Sequence, residues 1–157
     1  MNWGDLSVIL PVVLAALLLS CGIEDARLRT IANWKNAVIA LLAPLWWWAA
    51  GLSLWPDVAL QIGVALLVFA LFVGVFALGQ MGGGDVKLIG ALALWFPWQP
   101  LIGLLMVMSI IGGVLTIIIA VERWWRKTDG PVEIPYGVAI AIAGLMAVRE
   151  PLLNQFT

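Results

Sequence analysis

The sequence predicts an all-α integral membrane protein with six transmembrane helices. Of its 157 residues, 64% are hydrophobic and 11% are charged, and the mean hydropathy is +1.08. Soluble domains are about 45–50% apolar and about 25% charged. Apolar runs recur along the whole chain, and the basic residues fall in alternate segments between them. We therefore expect one membrane-embedded domain over residues 1–157.

Six apolar runs are the predicted membrane spans. Charged segments end the first and fifth runs; they are EDARLRTIANWKN and ERWWRKTDGPVE. The second run ends in GLSLWPD. The fourth run is preceded by GGGD and followed by FPWQP. About 20 helical residues cross about 30 Å of hydrocarbon, so the fourth and sixth runs are short, which predicts irregular backbone at membrane depth. Two pairs of small residues four positions apart, Ala70 with Gly74 and Ser109 with Gly113, are expected to mark close helix contacts. The runs are Leu6–Ile23, Ala37–Trp55, Val58–Leu78, Val86–Trp98, Leu101–Val121 and Ile134–Val148.

The lysines and arginines predict the orientation of these spans. Loops rich in these residues face the cytoplasm. Only Arg149 falls on the opposite side of the membrane from the other seven, which are Arg27, Arg29, Lys35, Lys87, Arg123, Arg126 and Lys127. Both termini are therefore expected on the non-cytoplasmic side.

The composition excludes several kinds of site. The chain has no histidine and one cysteine, Cys21, which excludes histidine-based triads, zinc sites built on these residues, and internal disulfides. No basic patch lies outside the short loops, so no nucleic-acid partner is expected. Because the acidic residues are scattered, we predict no metal and no cofactor.

The stretch GQMGGGDVKLIG, residues 79–90, breaks the apolar pattern with three glycines and a carboxylate. Gly82, Gly83 and Gly84 precede the short fourth span on the cytoplasmic side. Irregular backbone at membrane depth is tolerated only against protein or a water-filled cavity. Glycine also permits positive φ and the close approach of another backbone. We expect this turn to accept an extended peptide and Asp85 to line a wet pocket.

Asp25 is the predicted partner of Asp85. It follows the first span on the same side, where Glu24 would point about 100° away on a helix. The other acidic residues belong to the opposite face (Asp5, Asp57, Glu150) or to a charged loop (Glu122, Asp129, Glu133). Two carboxylates brought close share a proton, and such a pair can activate water for peptide hydrolysis.

The helix ends suggest a role for each carboxylate. Asp85 lies at the positive N-terminal end of the fourth helix, which favours the ionised base, and Asp25 lies at the negative end of the first helix, which favours the protonated acid. Arg27 and Arg29 could reverse this assignment.

Three segments resemble motifs of the type IV prepilin leader peptidases. GGGDVKL at 82–88 is similar to the family's GxGDxKL, EDARLRTIAN to the segment with its first aspartate, and IPYGVAIA at 134–141 to the start of its last helix. The resemblance implies that Asp25 and Asp85 are catalytic and that Gly82 and Gly84 are the motif glycines. It implies prepilin and pseudopilin substrates, whose leaders are cut at the cytoplasmic face of the bacterial inner membrane.

The chain departs from the family pattern in two places. Long bifunctional members carry two CxxC pairs in a cytoplasmic insert and also methylate the new amino terminus, whereas this sequence has one cysteine. No N-methyltransferase activity is therefore predicted, and the chain resembles the short, peptidase-only members that serve Flp-type (tight adherence) pili. That group typically reads IPN after the first aspartate, where this chain has Ile31-Ala32-Asn33.

Each predicted site residue also has a purely structural interpretation. Asp25 could pair with Arg29 at i, i+4, and Asp85 could cap the fourth helix. Lys87 is assigned, with the three glycines, to substrate binding or to shaping the loop. The alternative functions are a non-catalytic scaffold of a pilus assembly system and a small proton- or cation-coupled transporter. The prepilin that is cut and the oligomeric state stay open.

Overall fold

The computed structural model describes residues 3–127 and 134–153, without the side chains of residues 3–5 and 150–153. This part of the chain is helical and contains no strand, which confirms the all-α prediction. The prediction of a charged loop at 122–133 is wrong for residues 122–126, which continue the fifth helix, and residues 128–133 lie outside the described residues. The helices are α1 Trp3–Leu28, α2 Asn33–Ala49, α3 Ala59–Ala77, α4 Gly83–Ala93, α5 Trp98–Arg126 and α6 Tyr136–Leu153, with a kinked turn, Leu54–Val58, before α3.

Three helices in the described part of the chain are long and apolar enough to cross a membrane. They are α1, α3 with its preceding turn, and α5. α2 has 17 residues, α6 has 18 and α4 has only 11. At about 1.5 Å per residue, α4 is about 16 Å long, roughly half the hydrocarbon thickness. The fourth predicted span is therefore a short helix, as the length of its apolar run indicated.

α4 lies between α2, α3 and α6 and contacts all three. Seven of its eleven residues are buried, and Leu88, Ile89 and Leu92 have no exposed surface. α1 packs against α6 and α2, and α5 packs against α6. A helix with most of its residues buried contacts protein on most of its surface. This packing holds the glycine-rich start of α4 against its neighbours.

The close helix contacts occur at glycines other than those predicted. A Cβ placed on Gly22 of α1 would lie 2.9 Å from the Cβ of Ala141 in α6, so the two backbones approach closely there. Nothing in the described part of the chain lies within 4 Å of a Cβ placed on Gly74 or Gly113. The prediction that these two glycines mark close contacts is wrong, because they face open space.

α1 and α2 extend beyond their apolar runs because their polar side chains find partners. Lys35, in the first turn of α2, is buried, and its Nζ lies 2.8 Å from Oε2 of Glu24 and 2.6 Å from Oγ of Ser20 in α1. The Glu24 carboxylate also accepts a hydrogen bond from the amide of Ala32 at 3.2 Å. These contacts hold the start of α2 against the end of α1. Asp25 is therefore part of a held helix, and the direction of its side chain is fixed.

Candidate active site

Asp25 lies in the last turn of α1 and contacts the first turn of α6. The residue is 4% exposed. Its Oδ2 accepts a hydrogen bond from the amide of Val138 at 3.2 Å, and the amide of Gly137 also donates to the carboxylate. The free amides and the dipole at a helix N-terminus favour negative charge. The start of α6 therefore stabilises the ionised form of Asp25.

Gly137 allows α6 to approach Asp25 this closely. A Cβ at this position would lie 2.8 Å from both Cγ and Oδ2 of Asp25, and 2.7 Å from Cδ1 of Ile31. Carbon atoms in favourable contact are about 3.5–4.0 Å apart, so a side chain at 137 would push the carboxylate away. This glycine stands in IPYGVAIA, where no role was predicted for it. Its signal was a glycine two residues after a proline at the start of an apolar helix.

Asp85 lies in the first turn of α4, three residues after the N-cap, Gly82. Gly82 has an extended backbone (φ −72°, ψ 146°), and its carbonyl accepts a hydrogen bond from the amide of Val86 at 3.2 Å. The amide of Gly82 donates to the Asp85 carboxylate, which is the half of a capping box that the third helical residue supplies. The N-cap is therefore Gly82, and the interpretation of Asp85 as the N-cap is wrong; Asp85 is a residue of the first turn and is 7% exposed.

Asp25 and Asp85 line one cavity of about 210 Å³, which we call the aspartate cavity. A water molecule occupies about 30 Å³ in the liquid, so the cavity has room for several. The residues around it come from the end of α1, the loop to α2, and the start of α4; they are Asp25, Arg29, Thr30, Ile31, Asn33, Gly82, Gly83, Gly84 and Asp85. The structure thus brings together the two carboxylates and the three glycines that the sequence singled out.

The two carboxylates have different electrostatic surroundings. Asp85 is buried beside the second carboxylate and accepts a hydrogen bond from one amide, that of Gly82. Asp25 accepts hydrogen bonds from two amides at the start of α6. The additional amide favours a charge on Asp25 and leaves the shared proton to Asp85, the reverse of the roles inferred from the helix ends. The helix ends alone could not indicate this, because the contact with α6 joins residues more than a hundred positions apart.

The loop between α1 and α2 forms one wall of the aspartate cavity. Arg29 adopts a left-handed conformation (φ 55°), and its amide donates to the carbonyl of Asp25 at 3.0 Å. Ile31 is buried beneath the loop, and a Cβ on Gly84 would lie 3.3 Å from its Cβ. Gly84 therefore allows this loop to pack directly on the start of α4.

The other acidic side chains in the described residues have partners away from the aspartate cavity. Glu24 pairs with Lys35, and Glu122 pairs with Arg126 at 3.0 Å. Asp57 accepts a hydrogen bond from Oγ of Ser53 at 2.7 Å. No ion pair joins Asp25 to Arg29 among the residues described, so that structural interpretation of Asp25 is not supported. No group of three or more potential metal ligands converges within residues 3–127 and 134–153.

Two polar contacts connect α2 to the start of α4. Nζ of Lys87 donates to Oδ1 of Asn33 at 2.8 Å, and Nδ2 of Asn36 donates to the carbonyl of Gly84 at 3.2 Å. Lys87 does not line the aspartate cavity, so of its two predicted roles the geometry favours shaping the loop. Asn36 was missed by the sequence analysis. Its only signal was an amide side chain at the edge of an apolar run.

Comparison with known proteins covers most of the chain. Residues 12–117 match a model described as the type IV leader peptidase family. A protein of Pectobacterium carotovorum subsp. carotovorum called prepilin leader peptidase/N-methyltransferase is 30% identical over 152 residues, which are 96% of this chain and 46% of that protein. A protein of the same name from Pseudomonas aeruginosa is 31% identical over 156 residues, 94% of this chain and 47% of that protein. The chain thus spans about half the length of these curated relatives. No solved structure matches it significantly.

Proposed function

Because the chain belongs to the type IV leader peptidase family, we propose that it is a membrane aspartyl endopeptidase that removes the leader peptides of prepilins and pseudopilins. Asp25 and Asp85 are its catalytic residues. The observation that carries this proposal is that two carboxylates 60 positions apart line one cavity beside a turn of three glycines. The methyl transfer named for the relatives is not part of the proposal.

The surroundings of the two aspartates support a specific sequence of proton transfers. Ionised Asp25 takes a proton from water, and the water oxygen attacks the scissile carbonyl carbon while Asp85 donates its proton to the carbonyl oxygen. The tetrahedral species then collapses. Its hydroxyl proton returns to Asp85, Asp25 passes its proton to the amide nitrogen, and the C–N bond breaks to release a carboxylic acid and an amine.

Gly82, Gly83 and Gly84 take the substrate backbone in this proposal. A peptide is cut in an extended conformation because its scissile carbonyl must be reached from both sides, and glycines leave room for a second backbone. Lys87 contributes indirectly by fastening α4 to Asn33. The family's prepilin substrates fit such a site in this proposal, because the leader must be unfolded where it passes the glycines.

The chain is a multi-pass membrane protein by its long apolar helices. Within the proposal all six helices are transmembrane segments of the bacterial inner membrane, the aspartate cavity faces the cytoplasm, and both termini lie on the other side. The seven basic residues on one side support this orientation. In a Cys21→Ala background, a thiol reagent confined to the cytoplasm should label Leu28→Cys and not Leu54→Cys, and the opposite pattern would reverse the orientation.

Substitution of the carboxylates tests the enzymatic proposal. A prepilin is co-expressed with the chain, and the mass of the new N-terminus of the product is measured. Asp25→Asn and Asp85→Asn should each leave the precursor uncut, whereas Asp57→Asn, outside the aspartate cavity, should cut it normally. Cleavage by either of the first two variants, with all three inserted in the membrane, would contradict the proposal.

The same variants separate the alternative functions. A scaffold would support pilus assembly equally well with Asp25→Asn or Asp85→Asn. A transporter would instead lose ion-dependent flux while leaving prepilin processing unaffected. Preference for Flp-type substrates is the narrower part of the proposal. Parallel co-expression with Flp-type and other type IV prepilins should show faster cleavage of the first.

A further inference from the structure

A second hollow, of about 470 Å³, lies between α2, α3 and α4, and we call it the lateral groove. Its lining runs from Asn33 to Ala40 on α2, from Ile62 to Phe69 on α3, and from Lys87 to Leu94 on α4. Each of these stretches rises about 10 Å, or about two helical turns. Apart from the polar residues at one end, the lining is apolar. The groove therefore has the length and chemistry to take one face of a short apolar helix.

The lateral groove opens sideways at the surface of the bundle. Leu66 and Ile62, on its α3 wall, are 63% and 40% exposed. Gly90 lies opposite, where a Cβ would be 2.6 Å from the ring of Phe69, so the glycine lets that ring lie flat against α4. A peptide in the surrounding membrane can thus enter the groove without passing through the bundle.

The lateral groove adjoins the aspartate cavity. Asn33 lines both spaces, and its side chain accepts the hydrogen bond from Lys87 at 2.8 Å where they meet. The polar residues of the groove, Asn33, Asn36 and Lys87, all lie at this end. A chain held between Asp25 and Asp85 therefore has an apolar path directly beside it.

Asn36 indicates what kind of ligand the lateral groove receives. The residue is 4% exposed and lines the groove, and its Nδ2 is committed to the carbonyl of Gly84. Its Oδ1 is buried and has no hydrogen-bond partner among the described residues. Buried polar atoms are nearly always paired in native proteins. A lipid acyl chain has no N–H to offer, whereas the first turn of a peptide helix has several that are free.

We propose that the lateral groove binds the apolar segment of the peptide substrate that continues from the scissile bond. The segment lies in the groove as about two turns of helix, and the Asn36 side chain rotates to bring its buried Oδ1 to the groove surface, where it accepts a backbone N–H from the first turn. This inference rests on the proposed function, because it requires that a peptide be cut in the aspartate cavity. The groove then selects substrates by the apolar stretch beside the cut rather than by the leader.

Two neighbouring leucines of α3 provide a matched kinetic test. Leu66→Trp fills the lateral groove, whereas Leu67→Trp adds the same bulk at a residue that is 70% exposed and does not line the groove. Leu66→Trp should raise KM for a prepilin about tenfold with little change in kcat, because it removes binding shared by substrate and transition state. Leu67→Trp should change neither. Equal effects of the two variants would overturn the proposal and would indicate a groove filled by lipid.

Cross-linking locates the substrate directly. The background is Cys21→Ala with Asp85→Asn, so that no other thiol is present and the substrate stays intact. Leu66→Cys should form a disulfide with a substrate cysteine placed in the apolar segment, about one helical turn after the scissile bond. It should not react with a cysteine in the leader, and Leu67→Cys should react with neither. A cross-link from the leader, or none from the apolar segment, would overturn the proposal.

The two proposals fail in distinguishable ways. Prepilin cleavage by Asp25→Asn or Asp85→Asn removes the proposed function and the groove inference with it. If those variants are inactive but Leu66→Cys gives no cross-link with the apolar segment, the peptidase remains and only the role of the lateral groove is lost.

Discussion

The two ends of α4 deal with unpaired backbone groups in opposite ways. At the C-terminal end of α4, side chains donate hydrogen bonds to the backbone carbonyls. Nε2 of Gln61 donates to two of them, at 2.9 and 2.6 Å, and Nε1 of Trp47 donates to a third at 2.7 Å. At its start, the three glycines carry no side chain to do this, and the Asp85 carboxylate faces a cavity after accepting one amide. One end is held by its neighbours, and the other is open to a ligand.

This difference shows how a helix shorter than the hydrocarbon thickness can carry a reactive group. Unbonded carbonyls away from water cost several kcal/mol each by a rough estimate, so the end of α4 needs donors from α2 and α3. Trp95 adds a bond in the reverse direction, from its Nε1 to the carbonyl of Ile39 at 2.8 Å. With that end held, the start of α4 can place Asp85 without bonding every polar group around it. Changes at the start should therefore alter activity, and changes at the end should alter stability.

Among changes that leave both aspartates in place, the largest effect is expected from Gly137→Ala, beside Asp25. The new Cβ would lie 2.8 Å from the Asp25 carboxylate and displace it. Since a shift of about 1 Å can reduce a rate about 100-fold, prepilin cleavage should fall by at least about that factor. The rate is measured by mass analysis of the product, with Gly103→Ala, in open space on α5, as control. Normal cleavage by Gly137→Ala would show that Asp25 need not stay where it is.

The dependence of the cleavage rate on pH should also reflect the protonation of Asp85 at the start of α4. A buried carboxylic acid beside a second carboxylate keeps its proton at low pH and loses it as the pH rises through its pKa. If Asp85 is the acid, kcat should fall about tenfold per pH unit above that pKa. Gln61→Met, at the other end, should leave this profile unchanged. A flat profile from about pH 6 to about pH 9 would assign the acid to another group.

Gln61→Met should affect stability rather than chemistry. It replaces the amide by an apolar chain of similar length and leaves the carbonyls of Ala93 and Phe96 without their bonds. The expected loss is about 2 kcal/mol in the free energy of unfolding, measured by denaturant titration in micelles, with kcat within about twofold. Gln99→Met, at an exposed position of α5, is the control. A large fall in kcat with unchanged stability would mean that the two ends of α4 are not independent.

The smallest effect is expected from Trp47→Phe. The variant keeps an aromatic ring but loses the single bond to the carbonyl of Leu94. The free energy of unfolding should fall by about 1 kcal/mol, which is about half the effect of Gln61→Met. Trp124→Phe, at a residue that is 81% exposed, is the control and should have no effect. Equal losses from Trp47→Phe and the control would show that the bond does not stabilise the end of α4.

Much of the aspartate cavity could be predicted because its signals are local. A run of three glycines followed by Asp85 predicts a helix start, and in the structure α4 begins within that run, at Gly83. Asp25 was found by elimination, since the remaining acidic residues belonged to other segments. The reversed electrostatics of the pair and the role of Gly137 could not be predicted, because both depend on how α6 packs against α1.

The sequence by itself determined that the chain is all-α, that it is built of apolar helices, and that the fourth is short. These properties follow from composition, from the length of each apolar run and from capping residues a few positions apart, so they need no knowledge of the packing. Only the tertiary structure decided that α6 amides reach Asp25, that Asn36 keeps an unpaired oxygen, and that a groove adjoins the cavity. Each of these joins atoms far apart in the chain, and their meeting depends on the close packing of whole helices rather than on any local pattern.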